Sequence, residues 1–375
     1  MPIILLFLSL LFFPAVVWAD ASLTAPFIAA RSYYLLEVES DQPLATLNPD
    51  QRVEPASLTK LMTAYLVFKA LRDHTLTVDK MVLPSTHAWH MPGSRMFIQP
   101  GHAVSIGDLL HGLIIQSGND AGVALAEAVG GTEEGFVARM NEMARSLGMD
   151  NTHFVNATGL PDAQHYSSAR DLALLARALI RDFPEYYPLY GQKEFVFGGI
   201  AQANRNRLLW MDPSVDGLKT GHTDSAGYCL ISSAHRGERR LLAVMLGTAS
   251  DLARTTESQK LLNWGFQAFN SRLLFHKGVQ TRTLPLYKGA QPAVTVGFSR
   301  DVWVTTPTGR EGEAKELLTT LQPVIAPVVA GQKMGTLTVY YGGNVINTTD
   351  LVALEGVPVG NAFTRGWDGL RLMLK

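Results

Sequence analysis

Hydrophobic and polar positions follow three textures along the chain. From about residue 25 to 275, helical and strand periods are mixed. LTKLMTAYLVFKAL (58–71) and ARDLALLARALI (169–180) carry apolar residues at helical spacing. AGVALAEAVGGTEEGFVARMNEMARSLG (121–148) reads as two helices broken at Gly130-Gly131. RSYYLLEVES (31–40), GYCLISSAHR (227–236) and RRLLAVMLGT (239–248) read as strands, the last two as a hairpin across a charged turn. ARTTESQKLLNWGFQAF (253–269) predicts a closing helix. From about 278 to 360, short runs such as TRTLPLY, AVTVGF, VWVTTP, GTLTVYY and LVALEG alternate with Gly, Pro and Asn turns, the pattern of a small all-β sandwich. In the last segment, NAFTRGWDGLRLMLK, Phe363, Trp367, Leu370 and Leu374 share one helical face while Arg365, Arg371 and Lys375 fall off it. Such a helix suits a membrane surface or a dock on the protein's own β-domain. Gly366 and Gly369 weaken it.

Composition bounds the function. The chain has 375 residues, 47% hydrophobic and 17% charged, enough for a large core and two or three domains. Lys+Arg (32) and Asp+Glu (33) leave a net charge of −1 with no basic block, which argues against nucleic acid as a partner. The single cysteine, Cys229, cannot form an internal disulfide and sits in the apolar run YCLISSA, so packing is expected of it. At the N-terminus, an apolar stretch from Ile3 to Phe13 is followed by Pro14 and by Val17-Trp18-Ala19, the form of a secretory signal cleaved after Ala19. It is short for a bilayer span of about 20 residues. The expected organisation is a signal peptide at 1–19, a mixed domain at 20–275, a β-sandwich at 276–360 and an amphipathic helix at 361–375.

PASLTKLMTAYLVF (55–68) raises a chemical question, because an apolar helix carries Ser57 and Lys60 one turn apart. A buried lysine is costly unless neutral or paired, and burial lowers its pKa. A neutral lysine can take the proton of a serine on the same helical face, which turns a weak nucleophile into a competent one. Free N–H groups at a helix start can stabilise an oxyanion. Alone the tetrapeptide is weak. Ser117-Gly118-Asn119, opening the helix NDAGVALAEAV, and Lys219-Thr220-Gly221, before the strand GYCLISSA, complete an ordered set shared by serine β-lactamases and penicillin-binding proteins.

With GSRMFIQPG (93–101), SGNDAGVALAEAVGG (117–131), HYSSARDLALLARALIRD (165–182), VDGLKTGHTDSAGYCLISSA (215–234) and ARTTESQKLLNWGF (253–266), the chain resembles the low-molecular-mass penicillin-binding proteins that act as serine D-alanyl-D-alanine carboxypeptidases. The similarity spans about residues 25 to 270, and the β-domain and tail match by arrangement. The resemblance implies an α+β fold with a β-lactamase/transpeptidase-like domain: an antiparallel sheet with helices on both faces, beside a helical subdomain. It implies that Ser57 attacks the penultimate D-Ala carbonyl of a peptidoglycan stem peptide and that Lys60 takes its proton. Ser117 would relay that proton to the leaving D-Ala, and Asn119 would hydrogen-bond the peptide and steady Lys60. Lys219 would lower the Lys60 pKa and attract the terminal carboxylate. The oxyanion hole would use the N–H groups of Ser57 and His222. Thr220, His222 and Arg254 would meet the carboxylate, with Gly221 in the same substrate-binding strand. Covalent capture by β-lactams and residence on the outer face of the bacterial inner membrane, in the periplasm, would follow.

Ordinary readings stand beside these. Ser168-x-x-Asp171 is a capping pair, or Asp171 orients His222 or Lys219. Arg254 opens a helix, where a cation is mildly unfavourable; it serves the site or a surface ion pair. His87-x-x-His90 is too little for zinc, and no metal or cofactor is expected. A class A-like β-lactamase would need a glutamate before Lys-Thr-Gly in a Glu-x-x-Leu-Asn context. Neither Glu185 nor Glu194 has one, and the middle motif is Ser-Gly-Asn rather than Ser-Asp-Asn. D,D-endopeptidase action and a non-catalytic peptidoglycan-binding role remain as alternatives.

Overall fold

The structure, a computed structural model, describes residues 24–373; the expected signal peptide, Leu374 and Lys375 lie outside the described residues. Five strands make the central antiparallel sheet: β1 (Ser32–Glu37), β2 (Gln42–Leu47), β3 (Val215–Thr223), β4 (Gly227–Arg236) and β5 (Arg239–Thr248). Their order is β2-β1-β5-β4-β3, so β3, which carries Lys-Thr-Gly, is an edge strand. Every residue of β1 is buried. Tyr34 and Leu36 join one core and Tyr33 and Leu35 the other. A strand covered on both faces needs no polar alternation, which is why SYYLLE reads as one apolar run.

Helix α1 (Lys60–Arg72) lies in the middle of the larger core, buried without a break from Lys60 to Phe68. A helix apolar on all sides belongs at the centre of a domain. Around it stand α2 (Asn119–Gly130), α3 (Glu133–Ser146) and α4 (Ala169–Asp182). The expected break between α2 and α3 is present. Gly131 has a φ of +81°, and Thr132 caps α3 by accepting the Gly135 N–H at 3.1 Å. The opposite face of the sheet is covered by α5 (Asp251–Ala268) through Leu261 and Leu262.

The rest of the chain builds a second core. β6 (Phe269–Phe275) pairs with β9 (Val302–Pro307). β7 (Arg282–Tyr287), β8 (Ala293–Phe298), β10 (Lys315–Thr320), β11 (Val324–Ile325), β12 (Lys333–Tyr341) and β13 (Asn344–Ala353) form a sheet in the order β10-β12-β13-β8-β7-β11. Phe298, Val304, Leu337 and Leu351 fill the space between the sheets. Because β6 pairs with β9 and its Leu274 and Phe275 pack into this core, the second unit includes a strand that a boundary at 276 leaves to the first. At the junction, the Gln42 amide pairs with the Thr305 backbone as a strand residue would, donating to O at 3.0 Å and accepting from N at 2.6 Å.

The final helix, α6 (Ala362–Met373), docks by its polar side. Asp368 is buried and accepts the Lys288 N–H at 2.7 Å. Arg371 reaches Asp368 at 3.4 Å and lies over the Tyr287 ring. The apolar stripe faces outward, with Phe363 84% and Trp367 59% exposed. The segment docks on the β-domain, as one of its two expectations had it, and its apolar face is left open. No helix among the described residues is long and apolar enough to cross a membrane.

Candidate active site

The three motifs converge at the edge of the sheet. Ser57 lies on a 3-10 turn, Ala56–Thr59, that runs straight into α1. This turn packs against β3 so closely that a Cβ on Gly221 would sit 3.1 Å from Pro55 O and 3.3 Å from the Ala56 Cβ. Ser117 precedes α2 with a φ of +63°, a conformation a serine adopts only when its surroundings impose it. A cleft of about 150 Å³ joins Ser57, Ser94, Ser117, Thr220, Gly221 and His222, with Arg205 and Arg254 also on its wall.

Lys60 Nζ lies 3.0 Å from Ser57 Oγ and 2.7 Å from both Asn119 Oδ1 and Thr158 O. Burial first, then the positive charge of Arg205, pushes its pKa down to about 7. Asn119 Oδ1 thus holds the Lys60 amine directly. The same amide's nitrogen donates to Pro92 O at 2.6 Å, so that group is already engaged within the protein. Lys219 is buried, donates to Thr220 O at 3.2 Å, and is held well below its usual value by burial and then by Lys60. The repulsion between the two buried amines is mutual, and Arg205 adds to it at both. Ser117 Oγ is buried and has no hydrogen-bond partner among the described residues.

Other expected residues fall on both sides. Arg254 is buried and lines the cleft, but its guanidinium is already bonded to Gly221 O at 3.1 Å, Cys229 O at 3.4 Å and Asp251 at 2.5 Å. It braces β3 from within. His222 is exposed, its ring against Tyr228 with centroids 4.0 Å apart. Asp171 accepts the Asn151 N–H at 2.8 Å and the Thr152 hydroxyl at 2.7 Å, and its own N–H is capped by Ser168. That is the capping role; it bonds neither His222 nor Lys219. Cys229 is fully buried on β4, its thiol pushed up to about 11 by desolvation, which fits packing. Glu185 and Glu194 are exposed, and no carboxylate lines the Ser57 cleft.

Residues 19–250 match the D-alanyl-D-alanine carboxypeptidase family, and residues 269–359 match the C-terminal domain of penicillin-binding protein 5. The chain belongs to the D-alanyl-D-alanine carboxypeptidase family. It is a serine-type D-alanyl-D-alanine carboxypeptidase by that membership. It is 41% identical over 366 residues to the Escherichia coli D-alanyl-D-alanine carboxypeptidase DacC, covering 96% of this chain and 92% of that one. Penicillin-binding protein 5 from Haemophilus influenzae superposes with a TM-score of 0.84 at 39% identity, over 89% of this chain and 99% of that one. Penicillin-binding protein D2 from Listeria monocytogenes, solved in its ampicillin-bound form, matches with a TM-score of 0.60 at 31% identity, over 65% of this chain and 99% of that one.

Several residues of this carboxypeptidase site escape a reading of motifs. In the run ANRNR, Asn204 and Asn206 are buried and bond Gln192 O and Gly217 O, so Arg205 between them is turned out into the cleft. The alternation is visible in the sequence once the run is taken as extended. Asp120 accepts the N–H groups of Met96, Phe97 and Ile98 at 2.9–3.2 Å, fixing the loop that carries Ser94. Asn156 Oδ1 ties down Thr158 and Gly159, which aims Thr158 O at Lys60. These two belong to long-range geometry that sequence spacing does not encode.

Proposed function

We propose that hydrolysis of a terminal D-alanyl-D-alanine bond runs here through an acyl-enzyme on Ser57. The observation that carries this is the Ser57–Lys60–Asn119 chain, with a fully enclosed amine brought near neutrality. A neutral Lys60 spends its two N–H groups on Asn119 Oδ1 and Thr158 O and turns its lone pair to the Ser57 hydroxyl. Ser57 Oγ attacks the penultimate D-Ala carbonyl as Lys60 takes its proton. The N–H groups of Ser57 and His222 hold the oxyanion. The proton returns, through Ser117, to the amine of the departing D-Ala as the C–N bond breaks. Water then cleaves the ester.

Lys219 supplies the recognition charge. Among the described residues its one acceptor is a backbone carbonyl, so a substrate carboxylate beside Lys219, Thr220 and Arg205 satisfies an amine that these residues leave under-partnered. Two crowded amines do not both stay protonated near neutrality. A carboxylate that fixes the charge on Lys219 keeps Lys60 neutral. The substrate class is the peptidoglycan stem peptide, and β-lactams acylate Ser57 in the same way. The outward apolar face of α6 rests on an anionic, apolar membrane surface, which puts the protein on the outer face of the inner membrane in the periplasm.

Mass spectrometry of a stem pentapeptide incubated with the purified protein tests the reaction. Loss of one alanine is expected from the wild type and none from Ser57→Ala. An intact pentapeptide with the wild type, or penicillin labelling that survives Ser57→Ala, overturns the assignment.

A further inference from the structure

We propose that Glu54 is a positioning residue that sets the gap between the two oxyanion-hole donors, Ser57 N–H and His222 N–H; this rests on the assignment of that hole above. Glu54 stands three residues before Ser57, and Thr223 directly follows His222. Glu54 Oε1 accepts the Thr223 hydroxyl at 3.0 Å, and Oε2 accepts the Ser225 hydroxyl. Thr223 Oγ1 accepts the Ala226 N–H at 3.0 Å, so the carboxylate also fastens the β3–β4 turn. Arg31 holds Ser225 O from outside at 3.4 Å. One carboxylate thus ties the segment entering the nucleophile to the segment leaving the second donor.

The need for such a tie is visible on both sides of it. β3 is an edge strand, so no further strand fixes its outer edge; Asn206 holds it at Gly217 O, and the Ser57 turn packs against it at Gly221. Within that turn, Ala56 has a φ of +48°. A residue with a Cβ holds that conformation only where its surroundings impose it. Gly159 presses from one side, where a Cβ would lie 1.8 Å from Ala56 O. Glu54 holds the other. A carboxylate at a turn often does no more than order the turn. Here its two partners come from a segment about 170 residues away, and both donors of the hole flank the bond. A displacement of about 1 Å at such donors costs on the order of 100-fold in rate.

The test is Glu54→Ala, assayed for acylation by benzylpenicillin, for turnover of a stem pentapeptide and for affinity toward a peptide boronate, which imitates the tetrahedral intermediate. Expected are acylation and kcat slowed about tenfold or more, boronate affinity weakened by the same factor, KM within about twofold, and an almost unchanged melting temperature. Glu54→Gln, whose amide oxygen still accepts a hydroxyl, recovers much of the rate. Thr223→Ala with Ser225→Ala adds nothing to Glu54→Ala. Wild-type acylation in Glu54→Ala overturns the proposal, as does a loss that appears in KM and melting temperature while boronate affinity holds. Labelling of Ser57→Ala is a different result: it removes the hole itself, and the proposal with it.

Discussion

At the cleft, two lysines are buried, Lys219 with a backbone carbonyl as its one acceptor among the described residues; on α6, large apolar side chains face outward. Folded proteins hide apolar surface and expose charge, and each region inverts one half of that rule. The difference lies in what each lacks. The cleft has desolvated cations, an orphaned Ser117 hydroxyl and no carboxylate on its wall, so it is complementary to a small anion bearing a reactive carbonyl. α6 has its one buried carboxylate satisfied, by Lys288 N–H and Arg371, while Phe363, Trp367, Leu370 and Met373 remain open. It is complementary to an apolar medium. On the proposed function, a substrate resolves one inversion and a membrane surface the other.

The cleft half of this contrast is broken most sharply at Lys60. Lys60→Met keeps the volume and removes the amine. Acylation by benzylpenicillin should fall by roughly 1,000-fold or more, with the fold retained by circular dichroism. The pH dependence carries the sign. Only the neutral amine accepts a proton, and the Lys60 pKa is about 7. The acylation rate of the wild type should therefore rise as pH increases through about 7 and level off above it. A rate that falls over that window would show that the charged form is the active one.

On the helix, Trp367→Ser removes one large apolar group from the open face. Losing its transfer into an apolar medium costs about 2 kcal/mol, or roughly 30-fold in partition onto anionic vesicles. Catalysis in solution should not change. Equal vesicle binding by the variant would mean that the face serves some other contact.

Much of this architecture was legible because period and motif agree. The heptad-like stripe of α6, the Gly130-Gly131 break and the β4–β5 hairpin each follow from residues within one turn of each other. Ser57 and Lys60 were legible because i and i+3 share a helix face. What was not legible is what those residues meet. Phe363 and Trp367 share a face, but only the Asp368 contact with Lys288, 80 residues away, decides that the polar side docks. Arg254 near the start of α5 pairs locally with Asp251, but its bonds to Gly221 O and Cys229 O join it to β3 and β4 over long range. The Lys315–Thr320 strand, KELLTT, escaped because an edge strand with four of its six residues exposed shows too little alternation.

Arg205 links the two lysines to the outside and gives the smallest and most specific test. It lines the cleft mouth, is exposed, and its charge is the second cause, after burial, of the depressed Lys60 pKa. Arg205→Ala removes that repulsion without touching the hydrogen bonds of Lys60. The amine then holds its proton more tightly, so the rising limb of the acylation profile should move to higher pH. At neutral pH the rate should drop a few-fold, and well above the new midpoint it should return to the wild-type plateau. A uniform loss at every pH would mean that Arg205 acts by holding the ligand's carboxylate instead. An unmoved profile would mean that burial alone sets the amine, and that the cleft needs no outer cation to keep its base ready.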